Sequence, residues 1–278
     1  MSTPQPTSQP AQPVAVVTGA STGIGRAAAA ALADAGHTVI GTSRRSSQAR
    51  PLAGATFLDL EVASDESVRA LVDAVLDRFG RIDVLVNNAG VGAIGAAEEA
   101  SPDEVRDVFD VNVFGVMRMS NAVLPSMRSR GAGRIVNVSS VLGLVPAPFM
   151  ATYAASKHAV EGYTESLDHE VREHGVRALL VEPAYTRTQF EQSSSAPAAP
   201  LAAYDARRAT AADVVSAAMR RADEPTVVAQ AIVRAATDTA PRLRYPAGPS
   251  ASRTALLRRF VPAAGFDRSI RKLNRLPV

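Results

Sequence analysis

The sequence predicts one α/β domain: a doubly wound parallel sheet of about seven strands, covered on both faces by helices, with a helical lid. Three observations predict it. Short, continuous apolar runs alternate with helical patterns. A glycine-rich turn joins the first run to the first helix. No linker-like change of composition divides the middle of the 278-residue chain, and 46% hydrophobic residues suffice for one large core.

The elements follow in order. Val14–Thr18 is a strand, and an alanine-rich helix runs from about Gly23 to Ala35, with Gly36 as its stop. Thr38–Thr42 and Thr56–Leu60 are the next strands. Val68, Leu71, Val72, Val75, Leu76 and Phe79 recur at helical spacing, with Ser64 as N-cap and Gly80 as stop. Asp83–Asn87 is again a strand. Ser101-Pro102-Asp103-Glu104 is a capping box with proline at the first helical position, opening a long helix to about Met127. Arg134–Ser140 is a strand, Tyr153–His174 a helix and Arg177–Glu182 a strand. The stretch Gln189–Arg221 breaks the rhythm after a strand end, where a lid sits. A helix near Pro225–Ala236 and a strand near Leu243–Tyr245 complete the sheet. The domain spans 14–251, preceded by a disordered lead at 1–13 and followed by a basic helical extension at 252–278.

Composition removes several function classes. The chain has no cysteine, which excludes disulfides, thiolate zinc sites and a cysteine nucleophile. His37, His158, His169 and His174 show no metal-ligand spacing, so no metal is expected. A net charge of +3 does not argue for nucleic acid, and the excess is local: from Ala247 onward seven Lys/Arg face one acid, Asp267. The proline- and glutamine-rich start has neither the basic nor the apolar region of a signal peptide, and no apolar run spans a bilayer. A cytoplasmic protein is expected. The basic tail is read as packing on the protein or an oligomer partner, with binding to anionic membrane as the alternative.

Two features carry chemistry. "TGASTGIG" sets Gly19, Gly23 and Gly25 between a strand and a helix, so the backbone can approach a ligand and the helix can present free N–H groups to a pyrophosphate. Its spacing is G-x-x-x-G-x-G, not the commoner G-x-G-x-x-G. "YAASK" sets Tyr153 and Lys157 one turn apart on one helix face. A neighbouring ammonium favours phenolate and is expected to lower the tyrosine pKa from about 10. Such a tyrosine can give a proton to a developing alkoxide and recover it in reverse. Ser140, ending the preceding strand, can hold the same oxygen. Taken singly, these are also an empty glycine turn, a surface Tyr–Lys pair and a loop serine.

Together they resemble something more specific. "TGASTGIG", "NNAG" (Asn87–Gly90), "VNVFG" with Asn112, "VNVSS" ending in Ser140, and "YAASK" occur in the order found in short-chain dehydrogenases/reductases, and the gap of thirteen from Ser140 to Tyr153 also matches. The resemblance covers about Val14 to Phe190. "RIDVLVNNAG" and "GRIVNVSSVLGLVPAPF" look most like the 17β-hydroxysteroid-dehydrogenase-like branch. The resemblance implies a Rossmann-type fold. It makes Tyr153 the catalytic acid/base, Lys157 its pKa-lowering partner and ribose ligand, Ser140 the orienter of the carbonyl, and Asn112 the support of a water-mediated relay to Lys157. For the cofactor it implies Gly19, Ser21, Thr22, Gly23, Ile24 and Gly25 at the turn. Asp59 and Leu60 lie by the adenine, and Asn87, Ala89 and Gly90 on the adenosine side and supporting the sheet. Pro183, Thr186 and Thr188 lie by the nicotinamide. One departure is Pro183-Ala184 where the family usually reads Pro-Gly; it implies a slightly shifted loop or a neutral variant.

The end of the second strand, "GTSRRSS", selects the cofactor. NAD-preferring relatives carry an acid there, whereas eighteen residues beyond Gly25 this chain has neutral Ser43, then Arg44 and Arg45. A guanidinium binds a 2′-phosphate that a carboxylate repels, so NADP(H) is expected rather than NAD(H), with Ser43 and Arg44 as main contacts and Arg45 as secondary. The expected function is an oxidoreductase interconverting a carbonyl and an alcohol on an apolar small molecule, steroid-, retinoid- or polyketide-like, because Val141–Met150 is almost wholly apolar. The alternative is a non-catalytic NADP(H)-binding regulator. A homodimer or homotetramer through the helices containing Asn112 and Tyr153 is implied by the family.

Overall fold

The apolar runs become strands because both faces of each are covered: Val14–Val17 and Val84–Asn87 are buried at every position. The computed structural model describes residues 12–277. Its elements are β1 (Val14–Val17), α1 (Gly23–Asp34), β2 (Thr38–Ser43), β3 (Ala55–Asp59), α2 (Asp65–Phe79), β4 (Val84–Asn87), β5 (Gly92–Ala93), α3 (Pro102–Phe109) and α4 (Gly115–Arg130). They continue with β6 (Gly133–Val138), α5 (Ala151–Val171), β7 (Val176–Pro183), β8 (Ser194–Ser195), α6 (Asp205–Met219), α7 (Pro225–Thr237), β9 (Arg244–Ala247), α8 (Pro249–Phe260) and α9 (Ala263–Leu273).

The main sheet has seven strands in the order β3-β2-β1-β4-β6-β7-β9, all parallel. The winding reverses between β1 and β4, and a crevice opens beyond strand ends at such a point. α1 and α7 cover one face through Ala28, Leu32, Ala229 and Ile232. The other is covered by α2, α4 and α5 through Leu71, Val75, Met119, Met127 and Leu167. β5 and β8 form a small parallel pair that ties the segment after β7 to the segment after β4.

Local signals act as their chemistry requires. The Ser64 hydroxyl accepts the Ser67 N–H at 3.2 Å, and Gly80 ends α2 with φ +70°. Ser101 and Glu104 exchange both capping-box bonds at the start of α3. The long helix expected from there is interrupted: Asp110–Phe114 is a single π-helical segment between α3 and α4. Such a bulge re-aims one residue, and it contains Asn112. Both ends of the domain are tied to its body. Thr38 N donates to Pro13 O at 2.9 Å and its hydroxyl to Gln12, so the chain just before Val14 is fastened to β2; the rest of the expected lead lies outside the described residues. Helix α8 starts at Pro249, and its first turn carries the fully buried Ala251 at the end of the expected domain. Among the described residues no helix is long and apolar enough to cross a membrane.

Candidate active site

The glycine turn is tied down from β4. The Thr18 hydroxyl accepts the N–H groups of Asn88 and Ala89, both at 2.9 Å, and Asn88 Nδ2 donates to the Thr18 and Gly19 carbonyls. Gly19 and Gly23 have φ of +64° and +54°. A Cβ on Gly25 would collide with the Gly19 carbonyl and the Asn88 amide, so only glycine fits. Thr22, the N-cap of α1, makes no side-chain cap, which leaves the first N–H groups of Gly23, Ile24 and Gly25 open. Thr188 reaches this turn from the loop after β7: its methyl would lie 3.2 Å from a Gly23 Cβ.

At the end of β2 the Ser43 hydroxyl is buried without a partner among the described residues. Arg44 and Arg45 are exposed, and none of the described hydrogen bonds or ion pairs engages their side chains. Asp59, opposite Ser43 in register, accepts the Ser46 N–H at 2.6 Å. Those Ser46 bonds hold its carboxyl below the usual range, and its charge thereby anchors the loop bearing the arginines. Leu60 is buried, donating its N–H to Ser43 O at 2.9 Å.

Asn87 is buried, with its Nδ2 donating to Asn137 Oδ1 at 2.9 Å and Ser120 Oγ at 3.3 Å. Its side chain is thus spent on the sheet, and Asn88 is the asparagine that shapes the turn. Asn112 clamps the same loop: Oδ1 accepts Val91 N at 2.8 Å, while Nδ2 donates to Val91 O at 2.9 Å and Ser156 Oγ at 3.1 Å. Ser156 donates onward to Tyr153 O at 2.7 Å. Asn112 therefore acts on the α5 turn carrying both Tyr153 and Lys157, and Gly90 packs against its Oδ1.

The acid–base group forms where β6 ends and α5 begins. The Ser140 hydroxyl lies beside the Tyr153 phenol, whose charged form it favours, and accepts Leu142 N at 3.1 Å. Lys157 Nζ donates to Val138 O at 2.9 Å and lies 5.7 Å from the Tyr153 ring centre. The Phe190 ring, 5.6 Å away, covers Tyr153, which is 8% exposed. The expected lowering of the tyrosine pKa is not what this geometry gives. Burial pushes Tyr153 well above the usual phenol value, with only the neighbouring Ser140 hydroxyl opposing it. Burial also brings Lys157 down to about 8, against the pull of Glu161. Desolvation of both groups outweighs their attraction.

Ala184 carries no strain: among the described non-glycine residues only Phe149 and Arg275 have left-handed φ. The shifted loop weighed for Pro183-Ala184 is thus not forced by backbone geometry, and the Thr186 hydroxyl donates to Ala184 O at 3.1 Å. Phe149, at φ +63°, lies in the apolar loop after Ser140 and meets the ring of Tyr204 edge-on at 6.3 Å. Thr18, Asn88, Asn137 and Ser156 stand inside the motifs "TGASTGIG", "NNAG", "VNVSS" and "YAASK", but the sequence assigns them no role; membership of a motif was the available signal. Among the described residues no cluster of His, Asp or Glu is arranged to hold a metal.

Comparison with known proteins agrees with this architecture. Residues 13–199 match the family model for short chain dehydrogenase. An uncharacterised oxidoreductase of Bacillus subtilis, YusZ, is 35% identical over 275 residues, covering 93% of this chain and 97% of its own. A 3-ketodihydrosphingosine reductase of Bacteroides thetaiotaomicron is 42% identical over 177 residues, and the match spans 64% of this chain and 65% of that one. The solved short-chain dehydrogenase of Streptomyces avermitilis superposes with a TM-score of 0.80 at 34% identity, covering 96% of each chain. With its motifs in family order on a seven-stranded parallel sheet, this chain belongs to the short-chain dehydrogenase/reductase family of oxidoreductases.

Proposed function

We propose that the protein is an NADP(H)-dependent oxidoreductase interconverting a carbonyl and an alcohol on an apolar, steroid-, retinoid- or polyketide-like substrate. The observation carrying this reading is the meeting of Ser140, Tyr153 and Lys157 beside the glycine turn. The residues fit a nicotinamide dinucleotide. The turn at Gly19, Ser21, Thr22 and Gly25 has no room for a Cβ at Gly25, and the start of α1 has open N–H groups for a pyrophosphate. The orphaned Ser43 hydroxyl and the unpaired Arg44 and Arg45 favour a 2′-phosphate. The family resemblance assigns Ala89 and Gly90 to the adenosine side and Pro183, Thr186 and Thr188 to the nicotinamide side, and the contact of Thr188 with the Gly23 turn supports this. Solved relatives hold NAD (Burkholderia phymatum) and NADH (Brucella melitensis) and, in a metagenomic one, NADP, so on this reading the residues after β2 carry the choice.

When bound, the dinucleotide supplies the hydride. Tyr153, neutral because it is buried, donates its proton to the carbonyl oxygen as charge develops there, and recovers it in the reverse direction. Ser140, beside Tyr153, orients the same oxygen. Lys157 opposes the negative charge left on the phenol. Phe190 keeps water from the ring. The apolar loop Val141–Met150 favours an apolar substrate, in keeping with the ketone named for the Bacteroides relative.

Tyr153→Phe tests the reading on a panel of apolar ketones and aldehydes followed by nicotinamide absorbance. Reduction should fall by about 10³-fold with NADPH binding almost unchanged. Turnover retained by the variant would remove Tyr153 from the mechanism; a parent that binds the dinucleotide without turning over any of the panel would favour a regulator.

A further inference from the structure

Behind the proposed acid–base pair lies a buried charge cluster that the mechanism above does not use. Glu161, one helical turn beyond Lys157 on α5, and Glu182, just before the Pro183–Ala184 loop, are 4% and 1% exposed. Both carboxylates converge on Arg244 Nη1 from β9, while Glu165, at the rim, takes Nη2 at 2.7 Å. Ser139 backs onto Glu161. A Cβ on Gly143 would lie 2.7 Å from the Ser139 hydroxyl and 2.9 Å from Glu161 Oε1, so only a glycine lets the loop close over the pair. Ser139 is flanked by Val138, whose carbonyl holds Lys157, and by Ser140. The ends of β6, β7 and β9 thus meet α5 at one carboxylate.

One guanidinium does not balance two buried carboxylates, and an unbalanced buried charge is costly. Arg244 is half-buried, whereas Lys157 is a buried cation, on the same helix face as Glu161. We propose that Glu161, pinned by Arg244, is a positioning residue of the active site: the buried counter-charge that holds Lys157 in place beside Tyr153. The proposal rests on the reading of Tyr153 and Lys157 as the acid–base pair.

The electrostatics agree with this geometry. Burial lowers Lys157 to about 8, and the charge opposing that fall is Glu161. Burial and the Glu161 charge push Glu182 up to about 7. Burial also raises Glu161, where Arg244 opposes it. Glu161 and Glu182 share one guanidinium and therefore titrate as a coupled pair, of which Glu161 is the member on the Lys157 helix. The charged and titratable groups around Lys157 are Tyr153, Glu161 and rim Glu165 on α5, Glu182 on β7 and Arg244 on β9; the adjoining end of β6 offers neutral Ser139, Ser140 and the Val138 carbonyl.

The chain has two lysines, Lys157 and Lys272, so lysine labelled with ¹³C at Cε gives two resonances, and Lys272→Arg identifies the second. The Lys157 resonance should titrate near 8. Glu161→Gln should lower that midpoint by about one pH unit or more, and Glu161→Asp should restore most of it. Glu182→Gln should leave it in place or raise it, because Glu161 then stays anionic. In active protein the alkaline limb of the reductive kcat/KM profile should move with the resonance. A midpoint unmoved by Glu161→Gln, or activity lost equally at every pH with the limb fixed, overturns the proposal. A midpoint that moves while the limb stays would uphold the counter-charge and instead remove Lys157 from the reaction. Should Glu161→Gln fail to fold, Glu161→Asp decides: a midpoint lowered by a fraction of a unit upholds the counter-charge, and an unmoved midpoint overturns it.

Discussion

The two walls of the site are held by different means. The cofactor wall lies within regular elements or one or two positions beyond them, and its side chains bond across the sheet: Thr18 to Asn88, Asn87 to Asn137, Asn112 to Val91. The substrate wall is the apolar loop, the segment over 189–221 and the tail. It combines loops with the peripheral helices α6, α8 and α9 and is fastened at its rim, by Glu104 to Ala198 N, Tyr204 to Glu98, Arg258 to Leu144 O and Arg207 to Arg275 O. The first wall cannot move without breaking buried ladders. The second can open by releasing a few exposed bonds, each contributing about 0–1 kcal/mol. On the proposed function, the rigid wall would carry the chemistry and the adjustable one the recognition.

The sharpest way to break the comparison is Gly25→Ala. The added methyl meets backbone on one side and the Asn88 amide on the other, and neither can retreat without unpicking the end of β1. Overpacking here should cost on the order of 3 kcal/mol and abolish dinucleotide binding, read from urea unfolding and a fluorescence titration. Tolerance would mean that the cofactor wall yields as easily as the other.

Lys157→Met should work in the opposite direction. With its folded pKa lowered from 10.5 to about 8, Lys157 destabilises the fold at every pH below 8, and the penalty fades as pH rises through 10.5. Linkage sets that penalty at about 3 kcal/mol, and loss of the bond to Val138 O returns about 1. The variant should therefore be more stable by about 2 kcal/mol at pH 7 and slightly less stable at pH 10.5, in paired urea melts. A stabilised but inactive protein would show that the rigid wall stores instability for its chemistry. A non-catalytic binding protein has no use for it.

Arg44→Ala probes the edge of that wall. Losing one guanidinium from a phosphate should weaken NADPH by about 2 kcal/mol, some 30-fold, and leave NADH nearly unchanged. Equal losses for both would mean that Arg44 does not read the 2′-phosphate.

Most of the rigid wall was legible in the sequence, because it depends on local signals: glycines at a strand–helix junction, a capping box, and Tyr153 and Lys157 at helical spacing. What escaped depends on contacts between distant segments. The π-helical segment at Asn112 breaks no sequence rule, since its cause is the clamp on Val91, 21 residues away. The tyrosine pKa was misread because pairing is visible in "YAASK" and burial is not. The cluster of Glu161, Glu182 and Arg244 spans three elements and looks, in sequence, like three surface charges.

The smallest expected effect belongs to the adjustable wall. Glu99 lies under the segment after β8, its carboxylate accepting Ala96 N at 2.7 Å and Leu201 N at 2.8 Å and pairing with Arg208. Burial would raise its pKa, but the two backbone bonds and Arg208 outweigh it and hold it below 4.5. The latch is therefore present above pH 4.5 and is lost as pH falls through the lowered value. Glu99→Gln should imitate that loss at pH 7. Amide exchange over 197–221 should quicken by about tenfold, and KM for substrate should rise while kcat, dinucleotide affinity and the global melt hold. If exchange quickens equally in β1 and β4, the walls open as one cooperative unit, and the division between a fixed catalytic wall and an adjustable recognition wall fails.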